Sequence, residues 1–417
     1  MIKKIFLSLS LLVGTSALAQ QGTASPYSFY GVGDINSNNT NEYKAMGGMS
    51  VYSDSIHLNL NNPASYSKLK LTTFSVGTTF KNYTLKGNEG SEKANRVSID
   101  YLALGLPLGK VGVSFGLLPY SATGYKINSL RDTNGQKHST QFEGEGGINK
   151  VFAGVSYSLL PNLQFGIDMG YHFGQIDNVA TTFVIDNGDD YFIPNGTRET
   201  RRADYSGVTF NTGLLYSGKL KEYDWNASLT YSPETELNTT NLTKLDILNF
   251  SNIVLETKTM EENTTKTINP SRISAGLGIG KENKWFVGTE FTHTQTNKLN
   301  KSNLFTNASY KNTQRYTVGG FYIPKYNSYT SYFDRIVYRG GFRYENTGLV
   351  LNSQTINDYA VSLGACFPIG RNLTNLNIGV EYGQRGTNKN NLIKENYFNL
   401  SVGVSLNDLW FVKRKFD

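Results

Sequence analysis

Residues 163–174 read LQFGIDMGYHFG, and the two faces of this stretch differ completely. Leu163, Phe165, Ile167, Met169, Tyr171 and Phe173 take the odd positions, while Gln164, Gly166, Asp168, Gly170, His172 and Gly174 take the even ones. A period of two belongs to a β-strand, whose side chains point alternately to opposite faces. Six unbroken apolar positions ask for an apolar environment on one side. Gly, Gln, Asp and His ask for a wet or closely packed interior on the other. A strand in the wall of a transmembrane β-barrel meets both demands at once.

The same code returns far along the chain. At 396–406, Phe398, Leu400, Val402, Val404 and Leu406 oppose Tyr397, Asn399, Ser401, Gly403 and Ser405. At 376–383, Leu376, Ile378, Val380 and Tyr382 oppose Asn377, Gly379, Glu381 and Gly383. Candidate strands centre near residues 78, 100, 115, 154, 168, 210, 227, 276, 290, 318, 339, 362, 380 and 400. Fourteen is an even number, as single-chain bacterial barrels require.

Connection lengths alternate too. Short turns rich in Gly, Pro or Asn are expected near 107, 160, 220, 282 and 370, with a longer one at 324–333. Between them lie long stretches at 86–94, 128–147, 177–202, 233–271, 297–312, 346–356 and 386–393. With the first strand rising from the periplasm, every long stretch falls outside. The expected fold is an all-β, transmembrane antiparallel β-barrel of about 14 strands.

Composition agrees with this reading. The chain carries 27 Tyr, 23 Phe and 42 Gly, a balance that favours strands over helices. A soluble β-sandwich would share those residues, but it seldom keeps six apolar positions in unbroken alternation. The net charge of +7 comes from scattered Lys and Arg rather than a basic stripe, which argues against nucleic acid. Cys366 is alone, so neither an intramolecular disulfide nor a cysteine metal cluster is available.

Three regions are expected. Residues 1–19 read as a signal peptide: Lys3 and Lys4, an apolar run from Ile5 to Val13, then Ala17-Leu18-Ala19. Residues 20–69 do not alternate and read as a hatch, since a cylinder of fourteen strands would leak unless filled. Residues 70–417 form the barrel. Within the hatch, Pro63 is suited to a first helical position and Asn62 to capping it, so NPASYSKL is expected to be a short capped helix leading into the first strand.

The hatch carries more than a helix start. AMGGMSVYSDS at 45–55 followed by NNPAS at 61–65 resembles the hatch of the FadL/TodX family of outer-membrane transporters, through Gly47, Gly48, Asp54, Asn62, Pro63 and Ala64. The barrel component of the type IX secretion apparatus shares that motif. The resemblance implies an outer-membrane protein that takes up hydrophobic, fatty-acid-like compounds by a hatch-gated route with lateral release into the bilayer. It also implies a gap in the wall at the third strand, where Pro119, Ser121 and Gly124 stand. Pro cannot donate to a neighbouring strand and is confined to edges or bulges. Pro119 could equally mark the outer end of the lipid-spanning part.

By the same resemblance, the stretches at 177–202 and 233–271 form a capture groove for ligand, with Leu245, Leu248, Phe250 and Ile253 as its apolar contacts. Packing of those residues against one another would account for them as well. The implied partners are a hydrophobic small molecule and outer-membrane lipid, with the barrel monomeric. The alternative is a barrel that passes no solute and acts as plug or scaffold, with a secretion-machinery protein as partner. No cofactor and no metal are called for. His57, His138, His172 and His293 form no H-E-x-x-H, and no G-x-S-x-G is present, so no catalysis is expected.

Overall fold

In a computed structural model, residues 22–88, 90–133, 136–186, 195–302, 308–369 and 374–410 are described. The expected signal peptide lies outside the described residues. Fourteen strands make the wall: β1 (Thr72–Lys86), β2 (Ser91–Leu108), β3 (Val111–Thr133), β4 (Gln136–Leu160), β5 (Leu163–Asp186), β6 (Asn195–Leu220), β7 (Tyr223–Ser232), β8 (Arg272–Lys281), β9 (Trp285–Thr294), β10 (Thr313–Tyr322), β11 (Val337–Leu351), β12 (Gln354–Ile369), β13 (Thr374–Arg385) and β14 (Lys394–Asp408). Each of the fourteen expected centres falls in one of them.

Neighbours pair antiparallel in sequence order, and β14 pairs with β1 from Lys394↔Lys86 to Asp408↔Thr72, which closes the cylinder. Closure removes the edges that hydrocarbon cannot satisfy. On β5, Phe165, Ile167, Met169, Tyr171 and Phe173 are exposed on the outside, whereas Gln164, Asp168 and His172 are buried inside. Phe398 and Leu400 of β14 and Ile378 and Tyr382 of β13 face outward as expected.

Several of the long outer stretches are mostly strand. Strands β3 to β6 run for 23 to 26 residues, where about 9–11 suffice to cross hydrocarbon. Thus 128–133, 136–147, 177–186 and 195–202 are tall continuations of the wall. Residues 235–249 and 254–269 form a separate outer hairpin. Its first strand adds to β6 from Asn195↔Asn249 to Ser206↔Asn238, while β7 and β8 pair with each other below it. These segments place Thr, Asn, Lys and Glu on both faces, so ladder hydrogen bonds organise them without any hydrophobic alternation.

Inside, residues 22–71 occupy the lumen as short turns. Asn62 caps a 3-10 turn over Pro63–Lys68, its side-chain oxygen accepting from the Ala64 N–H at 3.1 Å. Leu58, Leu60, Tyr66 and Leu69 pack on the inward-facing Tyr101, Ala103, Leu118 and Phe152. Tyr43, Met46, Met49 and Val51 pack on Phe286, Phe321 and Ile323 on the opposite wall. The wall makes room for this filling with inward glycines: a Cβ on Gly166 would strike the backbone of Pro63 and Ala64, and one on Gly213 would strike the Asn62 side chain.

Candidate functional site

Among the described residues, the lower wall is incomplete at the junction of β2 and β3. The ladder between β2 and β3 runs from Leu108↔Val111 to Leu102↔Leu117 and stops. Above it, β2 pairs only with β1, and β3 pairs with β4 on its other side. The freed edge of β3 is covered by the N-terminal segment, where Asp34 and Ile35 pair with Ala122 and Ser121. The Asn36 N–H adds a bond to the Tyr120 carbonyl at 2.9 Å. Across the seam, Arg96 of β2 donates to the Thr23 carbonyl at 3.2 Å.

All three residues expected at a lateral opening border this seam. Pro119 begins a bulge, for Pro119 pairs with Asn149 and Ser121 with Ile148, which leaves Tyr120 as the extra residue. Such a bulge re-aims its residue. Tyr120 lies in the lumen, its hydroxyl donating to Asn269 Oδ1 at 2.7 Å and its ring meeting His172 edge-on at 4.5 Å. The Gly124 N–H donates to Ser28 Oγ at 3.1 Å, and the Thr23 carbonyl stands where a side chain at 124 would go.

The hatch motif residues hold the filling in place. Gly47 and Gly48 adopt φ of +73° and +85°, left-handed values natural to glycine. The Gly47 N–H reaches Ser362 Oγ of β12 at 3.0 Å. Asp54 closes a turn by accepting from the N–H groups of Ile56 and His57 at 3.0 and 2.7 Å, and its other oxygen meets His57 Nδ1 at 2.6 Å. Burial opposes the charged forms of both. The mutual attraction outweighs it, so Asp54 lies below its ordinary pKa and His57 is raised to about 10. Asn62 also donates to the Leu214 carbonyl of β6 at 3.3 Å, and Ala64 is fully buried beneath that turn.

Sequence reading did not find the polar ties. Lys44 meets Asp100 of β2 at 2.9 Å, Asp34 meets Arg385 of β13 at 3.0 Å, and Glu42 accepts from Asn377 at 2.7 Å. Ser50 donates twice to Glu290 of β9, at 2.7 Å each. Between filling and wall remains a cavity of about 270 Å³, bordered by Tyr30, Tyr120, His172, Arg272, Arg315 and others. The Leu117-Leu118 doublet before Pro119 was a legible sign of the bulge, because it breaks alternation. Nothing local announced Asp34, Arg272 or Arg385.

The four residues expected to contact ligand sit on the outer hairpin. Leu245 is half-buried opposite Glu199 of β6, and Leu248 is buried opposite Gly196. Phe250 meets Phe183 at 5.4 Å between ring centres, and Ile253 is exposed at the tip. The stretches 177–202 and 233–271 therefore do meet, as paired strands.

Three solved structures share the fold at low identity. The CymD monoaromatic hydrocarbon channel has a TM-score of 0.58 at 12% identity, covering 91% of this chain and 99% of its own. The toluene transporter TbuX of Ralstonia pickettii matches at 0.58 and 14%, covering 89% and 99%. The toluene transporter TodX of Pseudomonas putida matches at 0.58 and 14%, covering 90% and 98%. No curated protein matches the sequence. The expected likeness to FadL/TodX barrels thus holds for the fold. The family model that matches, over residues 1–417, is the one described as BamG, and this chain belongs to the BamG family.

Proposed function

We propose that the protein is an outer-membrane channel that takes up hydrophobic small molecules, with residues 22–71 as its hatch and the seam between β2 and β3 as a lateral exit. The observation that carries this reading is the edge of β3 above Leu117, which β2 leaves free and which a few bonds from the N-terminal segment cover, chiefly the short pairing of Asp34 and Ile35 with Ala122 and Ser121. Each buried methylene is worth about 0.8 kcal/mol, so an apolar solute leaves more readily into the bilayer than into periplasmic water. Leu117, exposed on β3 beside the seam, and Ile35, which borders the lumen cavity, put apolar side chains along that route. The solved barrels of like fold, named as hydrocarbon channels and toluene transporters, support the solute class.

Ile35 and Ser121 are register partners, so an Ile35→Cys/Ser121→Cys pair can lock the covering segment to β3. The native Cys366 is buried. Uptake of labelled toluene by proteoliposomes should fall under oxidation and return on reduction. The same uptake in both redox states would refute lateral exit.

A second reading, a barrel that passes no solute and serves as scaffold for a protein partner, draws support from the ties that fasten the hatch to β2, β9, β12 and β13. Recovery of a stoichiometric protein partner in mild detergent, with no toluene uptake, would favour it.

A further inference from the structure

We infer that the lumen cavity binds a small hydrophilic oxyanion, a carboxylate or phosphoryl group, at Arg272. The inference rests on reading the lumen as a solute compartment, and it assigns that compartment a chemistry unlike that of the hydrocarbon route.

Five cations border the cavity: Lys150, Arg272, Arg315, Arg343 and Arg385. Four of them are answered. Lys150 has Asp168 at 3.4 Å, Arg315 has Glu345 at 2.7 Å, Arg343 has Asp358 at 3.6 Å, and Arg385 has Asp34 at 3.0 Å. Arg272, at the outer end of β8, makes no side-chain hydrogen bond or ion pair among the described residues. The remaining acid at the cavity, Glu290, directs Oε2 to the backbone and hydroxyl of Ser50.

The Arg272 guanidinium, attracted by Glu290 and Asp168 but bonded to neither, borders the cavity with five donors that a forked acceptor can match. The walls beside it supply hydroxyls, from Ser232, Ser274, Thr292 and Thr294. A second group at this cavity has an unmet polar atom. His172 borders the cavity, is only 2% exposed, and has Nε2 engaged by Thr209 at 2.9 Å while Nδ1 is without a partner among the described residues. At about 270 Å³ the cavity lies just below the roughly 300–1,000 Å³ usual for drug-sized ligands. Arg272 suits a forked oxyanion, and the hydroxyl-rich surroundings suit a polar body rather than an acyl tail.

The test is calorimetric titration of the full barrel in non-ionic detergent with succinate and with inorganic phosphate. Octanoate and neutral succinamide serve as comparison probes. Saturable binding of succinate or phosphate is expected. Arg272→Gln should weaken it about tenfold to a hundredfold, the range for losing a charged hydrogen-bond partner. Arg272→Lys should retain part of it, and Arg201→Gln on the outer part of β6 should leave it unchanged. Heat-modified gel mobility confirms that each variant is a closed barrel.

Equal binding by the parent and Arg272→Gln barrels would overturn the proposal. So would binding of octanoate alone, since the tail would then be the recognised feature. If no oxyanion binds while toluene uptake remains redox-controlled, this inference falls and the channel reading stands. If oxyanions bind and toluene uptake is absent, the channel reading falls and the site remains.

Discussion

Asp34 and Arg385 are 351 positions apart in the chain and 3.0 Å apart in the fold. One belongs to the segment that covers the seam beside β3, and the other projects inward from β13 on a different side of the cylinder. The pair therefore spans the lumen through the filling, and the guanidinium has a second acid, Asp358, at 3.7 Å.

Removing the base should cost more than removing the acid. Arg385→Gln leaves Asp34 without its cation and Asp358 with Arg343 alone, whereas Asp34→Asn leaves Arg385 with Asp358. Losses of about 3 and about 1 kcal/mol are expected in the stability of the segment against local opening. Trypsin susceptibility of residues 22–71 and ion conductance in planar bilayers should both rise in that order. Equal effects would show that Arg385 does not act through both carboxylates.

The Asp54–His57 pair predicts a pH window for the same segment. His57 is raised from 6.5 to about 10, so its contribution is complete below about pH 6.5 and is lost as pH rises through about 10. Asp54 is lowered from 3.8, so its contribution is present above that value and is lost on further acidification. Protease protection of residues 22–71 should therefore be greatest near pH 6, decline progressively as pH rises above about 6.5 and reach its floor near pH 10. His57→Gln should abolish this alkaline decline and cost about 2 kcal/mol near pH 6.

Gly166→Val should separate the wall from its filling. Valine suits a strand, but its Cβ would run into Pro63 and Ala64. Overpacking of about 1–3 kcal/mol is expected to fall on the capped turn. The barrel should keep its heat-modified gel mobility while permeability to small polar solutes increases. Unchanged permeability would mean that the turn at 62–68 does not seal the bore.

The lipid-facing surface gives a prediction with an internal control. Met169 is 51% exposed midway along the apolar face of β5. Met169→Lys should lower stability in bilayers by about 2–4 kcal/mol. Thr264→Lys, on the exposed outer hairpin, should stay within about 0.5 kcal/mol. Chemical unfolding of both variants in lipid vesicles measures the difference.

The wall was legible where one face met lipid and the other the interior, as at 163–174 and 396–406, because two solvents impose two alphabets. It ceased to be legible above the membrane. Stretches such as Thr239-Thr240-Asn241 and Asn263-Thr264-Thr265 pair across the outer hairpin, yet polar residues on both faces leave no hydrophobic alternation to read. The Asn62-Pro63 turn was legible because capping is local. The partners of Arg385 and Glu290 were not, since inward residues from distant strands become neighbours only when the sheet curls and closes.

Closure has a further consequence, for biogenesis. Strand β14 zips onto β1 along all fifteen of its residues, and residues 22–71 lie within the ring that this last pairing completes. Those residues are made first but can be enclosed only when the ends of the chain meet. Stowing the leading segment and sewing the final seam are thus one event, and a ring that shut too early would strand its own contents outside.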